Sequence, residues 1–279
     1  LTLGFLVGIC ILLYPAFSNY WNSKTQSRAI VDYESVLDNL EPEDSEADSE
    51  NPTIPPDRNP YDQYDFQYDR HNYLKLQNVT SYAGVDVSAF QGDIDWQQVK
   101  DAGVEFVMIR VGGRGMDEGM LYTDDNAQGY YEGAATVGLK VGAYFFSQAI
   151  TVEEAVEEAE FVLEAVKGWD VQMPLVYDWE WVSPEARTGG MDRATLTECA
   201  KTFCQTIENG GYQPMLYFNS HISRDLLDLQ ELAQYPFWLA QYKEKMDYPY
   251  QVDFWQYTEE GTVPGIKGKV DIDLMFIYE

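Results

Sequence analysis

The sequence predicts a parallel-rich α/β barrel of the β/α type, shortened towards its C-terminal end. Three observations predict it. Strand-like and helical runs alternate from Gly84 onwards, the helices fade after the sixth strand, and acids recur inside or at the ends of apolar strands. The strands are expected at 84–88, 106–111, 141–147, 175–180, 215–219, 237–242, 254–257 and 270–276. Amphipathic helices are expected at 96–102, 123–137, 152–166 and 193–209, with a shorter fifth at 222–232. Gly210-Gly211 stops the fourth of these. Glu153, Glu154, Glu157, Glu158 and Glu160 read as the solvated face of the third helix.

The fourth strand carries the sharpest signal. The apolar run Met173-Pro174-Leu175-Val176 leads into Tyr177-Asp178-Trp179-Glu180-Trp181. Side chains at i and i+2 share one face of a strand, so Asp178 and Glu180 converge, framed by Trp179 and Trp181. Paired carboxylates in an aromatic cleft suit glycosidic bond cleavage, with one acid protonated and one ionised. Asp-x-Glu alone is common on surfaces, so the other acids matter. Asp86 lies inside the first strand, and Asp271 and Asp273 inside the last. A carboxylate within an apolar strand costs several kcal/mol unless paired or functional. First and last strands are neighbours in a closed barrel, which would bring Asp86 to Asp271. Asp273 also reads as a hydrogen-bonding support. Aromatics at matching positions are Tyr144, Phe146, Tyr217, Trp238, Tyr242, Trp255 and Tyr257, of which alternate members would face inward.

Composition narrows the partners. The 279 residues include 45% hydrophobic ones and carry a net charge of −29, with pI near 4.1. No stretch concentrates Lys and Arg, which argues against nucleic acid or an anionic membrane surface as partner. The three cysteines, Cys10, Cys199 and Cys204, form no disulfide framework, and no His/Cys cluster has metal spacing. No cofactor or metal is expected. With His71 and His221 the only histidines, histidine-based catalysis is not expected.

Residues 1–17 carry no charge, about the shortest run that spans a bilayer. They read as an uncleaved transmembrane anchor, with a cleaved signal segment as the competing reading. The chain does not open on Met, so a longer basic leader is expected before it. Residues 18–40 read as a stalk and 41–82 as a linker, first acidic and Pro-rich, then Tyr- and Asp-rich over 61–82. That last part either packs on the next domain or stays loose. The barrel is expected over 83–279.

Two resemblances complete the reading. Leu13-Tyr14-Pro15-Ala16-Phe17-Ser18-Asn19-Tyr20-Trp21-Asn22, with Gln26-Ser27-Arg28-Ala29-Ile30 and Tyr33, resembles the membrane-anchored N-terminus of class C sortases. The sortase catalytic domain is absent, so no sortase activity is carried over. From about Gly84 to Phe276 the chain resembles glycoside hydrolase family 25, the lysozymes (N-acetylmuramidases). The motifs are Gly84-Val85-Asp86-Val87-Ser88-Ala89-Phe90-Gln91-Gly92, Phe106-Val107-Met108-Ile109-Arg110-Val111-Gly112, and Val141-Gly142-Ala143-Tyr144-Phe145-Phe146. They continue through Tyr177-Asp178-Trp179-Glu180, Tyr217-Phe218-Asn219, Trp238-Leu239-Ala240-Gln241-Tyr242, Phe254-Trp255-Gln256-Tyr257 and Val270-Asp271-Ile272-Asp273.

The resemblance implies an irregular TIM-like (β/α)5(β)3 barrel that hydrolyses the β-1,4 bond between N-acetylmuramic acid and N-acetylglucosamine in peptidoglycan. It implies Glu180 as general acid, Asp178 as support for the oxocarbenium-like centre, and Asp86 and Asp271 as further catalytic acids. Substrate contacts are expected from Tyr144, Phe146, Trp181, Tyr217, Trp238, Gln256 and Asp273. Two positions depart from the family pattern: Phe145 stands where many members carry His, and Asp273 where many carry Asn. Retaining, inverting and substrate-assisted routes all remain open. The expected protein is a monomer acting on glycan strands at the surface of a Gram-positive-type bacterium, held there by its N-terminal segment. The competing functions are a non-catalytic wall-binding module and a sortase-linked assembly factor.

Overall fold

The strands of the barrel are apolar on both faces, and each face has its own partner. In chain order the elements are β1 (Phe66–Tyr68), β2 (Leu74–Leu76), β3 (Ser81–Val87), α1 (Trp96–Asp101), β4 (Phe106–Arg114), β5 (Leu121–Thr123) and α2 (Ala127–Thr136). They continue with β6 (Lys140–Ser147), α3 (Val152–Ala165), β7 (Leu175–Trp179), α4 (Arg193–Asn209), β8 (Pro214–Asn219), β9 (Phe237–Ala240), β10 (Phe254–Gly261) and β11 (Val270–Phe276). The computed structural model describes residues 57–61, 65–77 and 79–277.

Eight strands close in the order β3-β4-β6-β7-β8-β9-β10-β11, and β11 returns to β3. Every neighbouring pair is parallel except those of β11, which runs antiparallel to both β10 and β3. Inward positions interlock Phe106, Met108, Val176, Met215, Trp238, Phe254 and Met275 into one cluster that fills the barrel. The alternate residues, such as Val107, Ile109, Tyr177, Trp179, Leu239 and Trp255, point outward into a second, larger core. Gly84 permits the inner packing: a Cβ there would lie 2.2 Å from the Phe106 ring. Asp95, Thr151 and Asp192 cap the N-termini of α1, α3 and α4 by accepting from the backbone of Gln98, Glu154 and Thr195.

Helices cover the outer face from β3 to β8, and the expected fading after the sixth strand is real. The expected fifth helix, 222–232, is only a π turn over Ile222–Leu226. The Leu227 amide reaches back five residues to the Ile222 carbonyl, after which the chain passes through a series of turns over 229–234 that bury Leu227, Leu229 and Leu232. The expected helix 123–137 begins only at Ala127, because 121–123 pair with an extended β4 as a hairpin. Gly112 and Gly113 allow this, since a Cβ on Gly113 would lie 2.3 Å from the Tyr122 hydroxyl.

The Tyr/Asp-rich segment, grouped with the linker in the sequence reading, is folded over 65–77. β1 and β2 form an antiparallel hairpin that takes the place of a helix over β10, β11 and β3. Phe66 packs edge-on against Trp255 (5.2 Å between centroids) and Phe276 (6.2 Å). Lys75 ties the hairpin to Glu105 at 2.6 Å.

Glu158 also departs from expectation. It is fully buried, receiving Arg114 Nε (2.8 Å) and Ser147 Oγ (2.6 Å). The anchor and stalk readings, the sortase-like segment and the linker up to residue 56 lie outside the described residues. Among the described residues no helix is long and apolar enough to cross a membrane. The hairpin's packing predicts that Phe66→Ala costs about 3 kcal/mol, measured as a lowered urea midpoint at unchanged m-value.

Candidate active site

The upper end of the barrel interior is where the acids gather. Asp86 sits one residue before the end of β3, Asp178 one before the end of β7, and Glu180 directly beyond β7. β11 runs the other way, so Asp271 reaches the same end from its second position. Asp271 and Asp86 are register partners across the antiparallel pair, and partners in such a pair share a face. These four acids line one open pocket of about 330 Å³, together with Tyr144, Phe146, Tyr217, Trp238 and Gln256.

Two of the expected contacts lie elsewhere. Trp181 packs against the outer core, because residue 181 has already left the strand and its alternation. Asp273 is fully buried beneath the pocket floor, where it accepts from Trp238 Nε1 at 3.0 Å. Trp179, expected to frame the acids, is an outward core residue, as are Trp255 and Tyr257. Phe145 faces the helical layer and packs on Phe161 (5.4 Å), so its identity does not bear on the pocket.

Gln256 organises the floor. Its Oε1 accepts from the hydroxyls of Tyr217 (2.9 Å) and Tyr242 (3.0 Å). Its amide nitrogen must therefore face the other way, and it donates to Asp86 Oδ2 at 2.7 Å. Trp238 is held edge-on between Tyr217 (5.0 Å) and Tyr144 (6.2 Å).

Sequence reasoning missed the cation. Arg110, an inward residue at the middle of β4, bonds Asp124 Oδ2 through Nε and Nη2, each at 2.9 Å. Its guanidinium lies over the Phe90 ring at 4.9 Å, and both residues line the pocket. Asp124 also accepts from the Ala89 amide, fixing the turn that presents Phe90. The signal was an Arg inside an apolar strand, Val107-Met108-Ile109-Arg110-Val111.

Glu180 is half-buried at the rim, and a buried polar brace holds the chain on which it sits. Gln148 Nε2 donates to the Glu180 carbonyl (3.2 Å), and its Oε1 accepts from Thr188 Oγ1 (2.7 Å). Arg187 donates to the Gln148 carbonyl (2.9 Å) and pairs with Glu154 (2.6 Å). The loop after β7 is thus tied to α3 and to the end of β6.

Burial governs the electrostatics. It pushes the carboxyls of Asp86, Asp178, Asp271 and Asp273 upward, and the Asp86 charge raises the other three further. Gln256 holds Asp86 lower, and Arg110 together with a hydrogen bond to Glu180 holds Asp178 lower. The sequence reading expected Asp178 to stand ionised beside a protonated Glu180. Desolvation instead pushes all four buried aspartates towards their protonated forms. Asp273 and Asp86 also hydrogen-bond carboxyl to carboxyl, which lowers Asp86 and raises Asp273. Among the described residues no group of three or more His, Cys, Asp or Glu has the geometry to hold a metal ion.

Comparison with known proteins agrees with this geometry. Residues 85–266 match the family described as Glycosyl hydrolases family 25. The autolytic lysozyme of Clostridium acetobutylicum is 30% identical over 193 residues, 68% of this chain and 54% of that enzyme. The chain therefore spans about half the length of that relative. The bacterial lysozyme of Streptomyces coelicolor superposes with a TM-score of 0.58 at 25% identity, covering 70% of this chain and 91% of that one. The modular autolysin LytC of Streptococcus pneumoniae, solved with a synthetic peptidoglycan ligand, gives a TM-score of 0.65 at 22% identity, covering 76% and 50%. That last likeness shows the fold.

The raised carboxyls carry a consequence for stability. Against the ordinary value of 3.8, the folded chain holds these protons more tightly than the unfolded chain. Their contribution is complete below about pH 4 and is lost as pH rises through the raised values. Asp273→Asn, a fixed neutral carboxyl analogue, is expected to gain stability relative to the parent progressively over the range from about pH 4 upward, where the unfolded chain releases the proton that the folded chain holds more tightly. Urea midpoints of both proteins across that range check it; a constant difference would show that Asp273 does not hold its proton.

Proposed function

We propose, from the premise that this chain belongs to the glycosyl hydrolases family 25, that it hydrolyses the β-1,4 bond between N-acetylmuramic acid and N-acetylglucosamine in peptidoglycan. The observation that carries this reading is the convergence of Asp86, Asp178, Glu180 and Asp271 on one open pocket.

The chemistry follows from position. Glu180, on the rim, donates its proton to the leaving glycosidic oxygen as the C1–O bond breaks. Positive charge develops at C1 and the ring oxygen. Asp178 and Asp86 stand in the same pocket, where carboxyl oxygens stabilise that charge as it grows. Water adds its oxygen to C1 and surrenders a proton to a carboxylate, restoring the acid. Phe90 and Tyr144 offer ring surface for the sugars, while Trp238, buried beneath them, shapes the floor. Arg110, held by Asp124, limits how much negative charge the empty pocket accumulates.

The assembly-factor reading needs a reactive thiol, and the described cysteines are unsuited to that role. Cys199 and Cys204 are both buried on α4, and burial pushes the Cys199 thiol up to about 12.

The proposal extends to place. The uncharged run 1–17 and the acidic tract after it support a monomer tethered at a bacterial surface, with the barrel reaching the wall through a solvated spacer.

Glu180→Gln is expected to lower the release of reducing ends from purified peptidoglycan by about 10²- to 10⁴-fold, with an unchanged urea midpoint. Mass spectrometry of fragments from the parent protein is expected to place the new reducing end on N-acetylmuramic acid. Full lysis by the variant, or reducing N-acetylglucosamine ends, would refute the assignment.

A further inference from the structure

A second cavity, of about 670 Å³, lies beside the catalytic pocket on the outer side of β10. One wall is the tip of the β1–β2 hairpin and the other is the end of β10 with the loop after it. We propose that this cavity is a second glycan subsite, which binds a neutral N-acetylated sugar of the same strand that is cut in the catalytic pocket. The proposal rests on the hydrolase reading above.

Continuity with the pocket is the first argument. Tyr242 lines both cavities, and its hydroxyl reaches Gln256 in the catalytic one. The end of β10 divides them: Gln256 and Glu259 face the catalytic pocket, while Tyr257, Thr258 and Glu260 face the outer cavity. A linear polymer passing over Tyr242 therefore meets both.

The walls are also preformed. Asp69 Oδ1 accepts from the amides of His71 (2.8 Å) and Tyr73 (3.0 Å), and Asn72 takes the left-handed conformation that closes the turn (φ 65°). The Leu74 amide donates to the Tyr257 hydroxyl at 3.3 Å, locking hairpin to strand. A volume in this range suits a small ligand, and a rigid wall lowers the cost of ordering on binding.

Chemistry selects the occupant. Tyr68 is 52% exposed at the cavity's edge, an aromatic surface that the core does not use. Such rings stack on the apolar faces of sugars. Glu244 and Glu260 supply acceptors for ring hydroxyls, and Lys243 is engaged by Asp247 at 3.0 Å. This balance opposes a stem peptide rich in carboxylates and tolerates an uncharged sugar. The hairpin lies before residue 85, where the family match begins.

The test compares substrates of different length on the full chain. For Tyr68→Ala, the ratio of kcat/KM on long peptide-free glycan strands to that on a tetrasaccharide fragment is expected to fall about tenfold. An unchanged ratio would overturn the subsite. Binding is read separately by NMR on the Glu180→Gln protein. Peptide-free glycan is expected to shift the amides of 68–73, whereas shifts caused only by isolated stem peptide, or none, would overturn the proposal. Failure of the parent protein to cut any substrate would sink the hydrolase reading, while the glycan shifts at 68–73 would still report the subsite.

Discussion

Closure of the barrel between β11 and β3 is the constraint on which the site depends. β11 is the one barrel strand that runs backwards among the described residues, and its register puts Asp271 opposite Asp86. The outer face fixes that register. Val270, Ile272, Leu274 and Phe276 all face the outer core, so a slip of one residue would expose them to the barrel interior and turn Asp271 and Asp273 out of it. The hairpin reinforces this by packing Phe66 on Phe276 and Trp255. An apolar seam on the outside thus sets the geometry of acids on the inside.

Gathering so many carboxyls in a desolvated space works against folding unless protons or hydrogen bonds compensate. The structure uses both. Trp238 and Gln256 donate to Asp273 and Asp86, while Arg110 brings the one guanidinium that the described pocket contains. The remaining imbalance appears as upward shifts of the buried carboxyls. A group of acids that share protons responds strongly to new positive charge nearby, which is what a glycosidic transition state brings.

Most of the barrel was legible in the sequence because strands packed on both faces read as short apolar runs between amphipathic helices, along which side chains alternate inward and outward. The inward acids of β3, β7 and β11 stood out against apolar neighbours, and Asp86, Asp178 and Asp271 fall in the pocket as that alternation implies. The reading lost accuracy where the chain leaves a regular period. Trp181 lies just past β7, so i+2 logic no longer holds. Glu158 sits on a helix face crowded with glutamates, and nothing local separates a buried member from its solvated neighbours. Its partner Arg114 lies 44 residues away, as the last residue of a β4 that runs further than expected. The hairpin strands are three residues each, too short for a pattern to register.

The brace behind Glu180 shows why polar residues occupy positions that an apolar core would fill more cheaply. An apolar contact restrains distance but not orientation, whereas hydrogen bonds restrain both. Gln148 is fully buried, and its side chain meets Ser147, Glu180 and Thr188 at once. Arg187 then reaches from the loop to Glu154 on α3, and its amide bonds the Met116 carbonyl beside the β4–β5 hairpin. Three separate elements therefore converge on the segment that follows β7. Such over-determination is costly to build, since each buried polar group must be satisfied. Its result is a rim carboxyl that projects from a fixed backbone while the side chain stays open to the pocket. The proposed role of Glu180 as proton donor to a bound polymer needs that combination, because the chain holding it must not drift and the carboxyl must still reach the glycosidic oxygen.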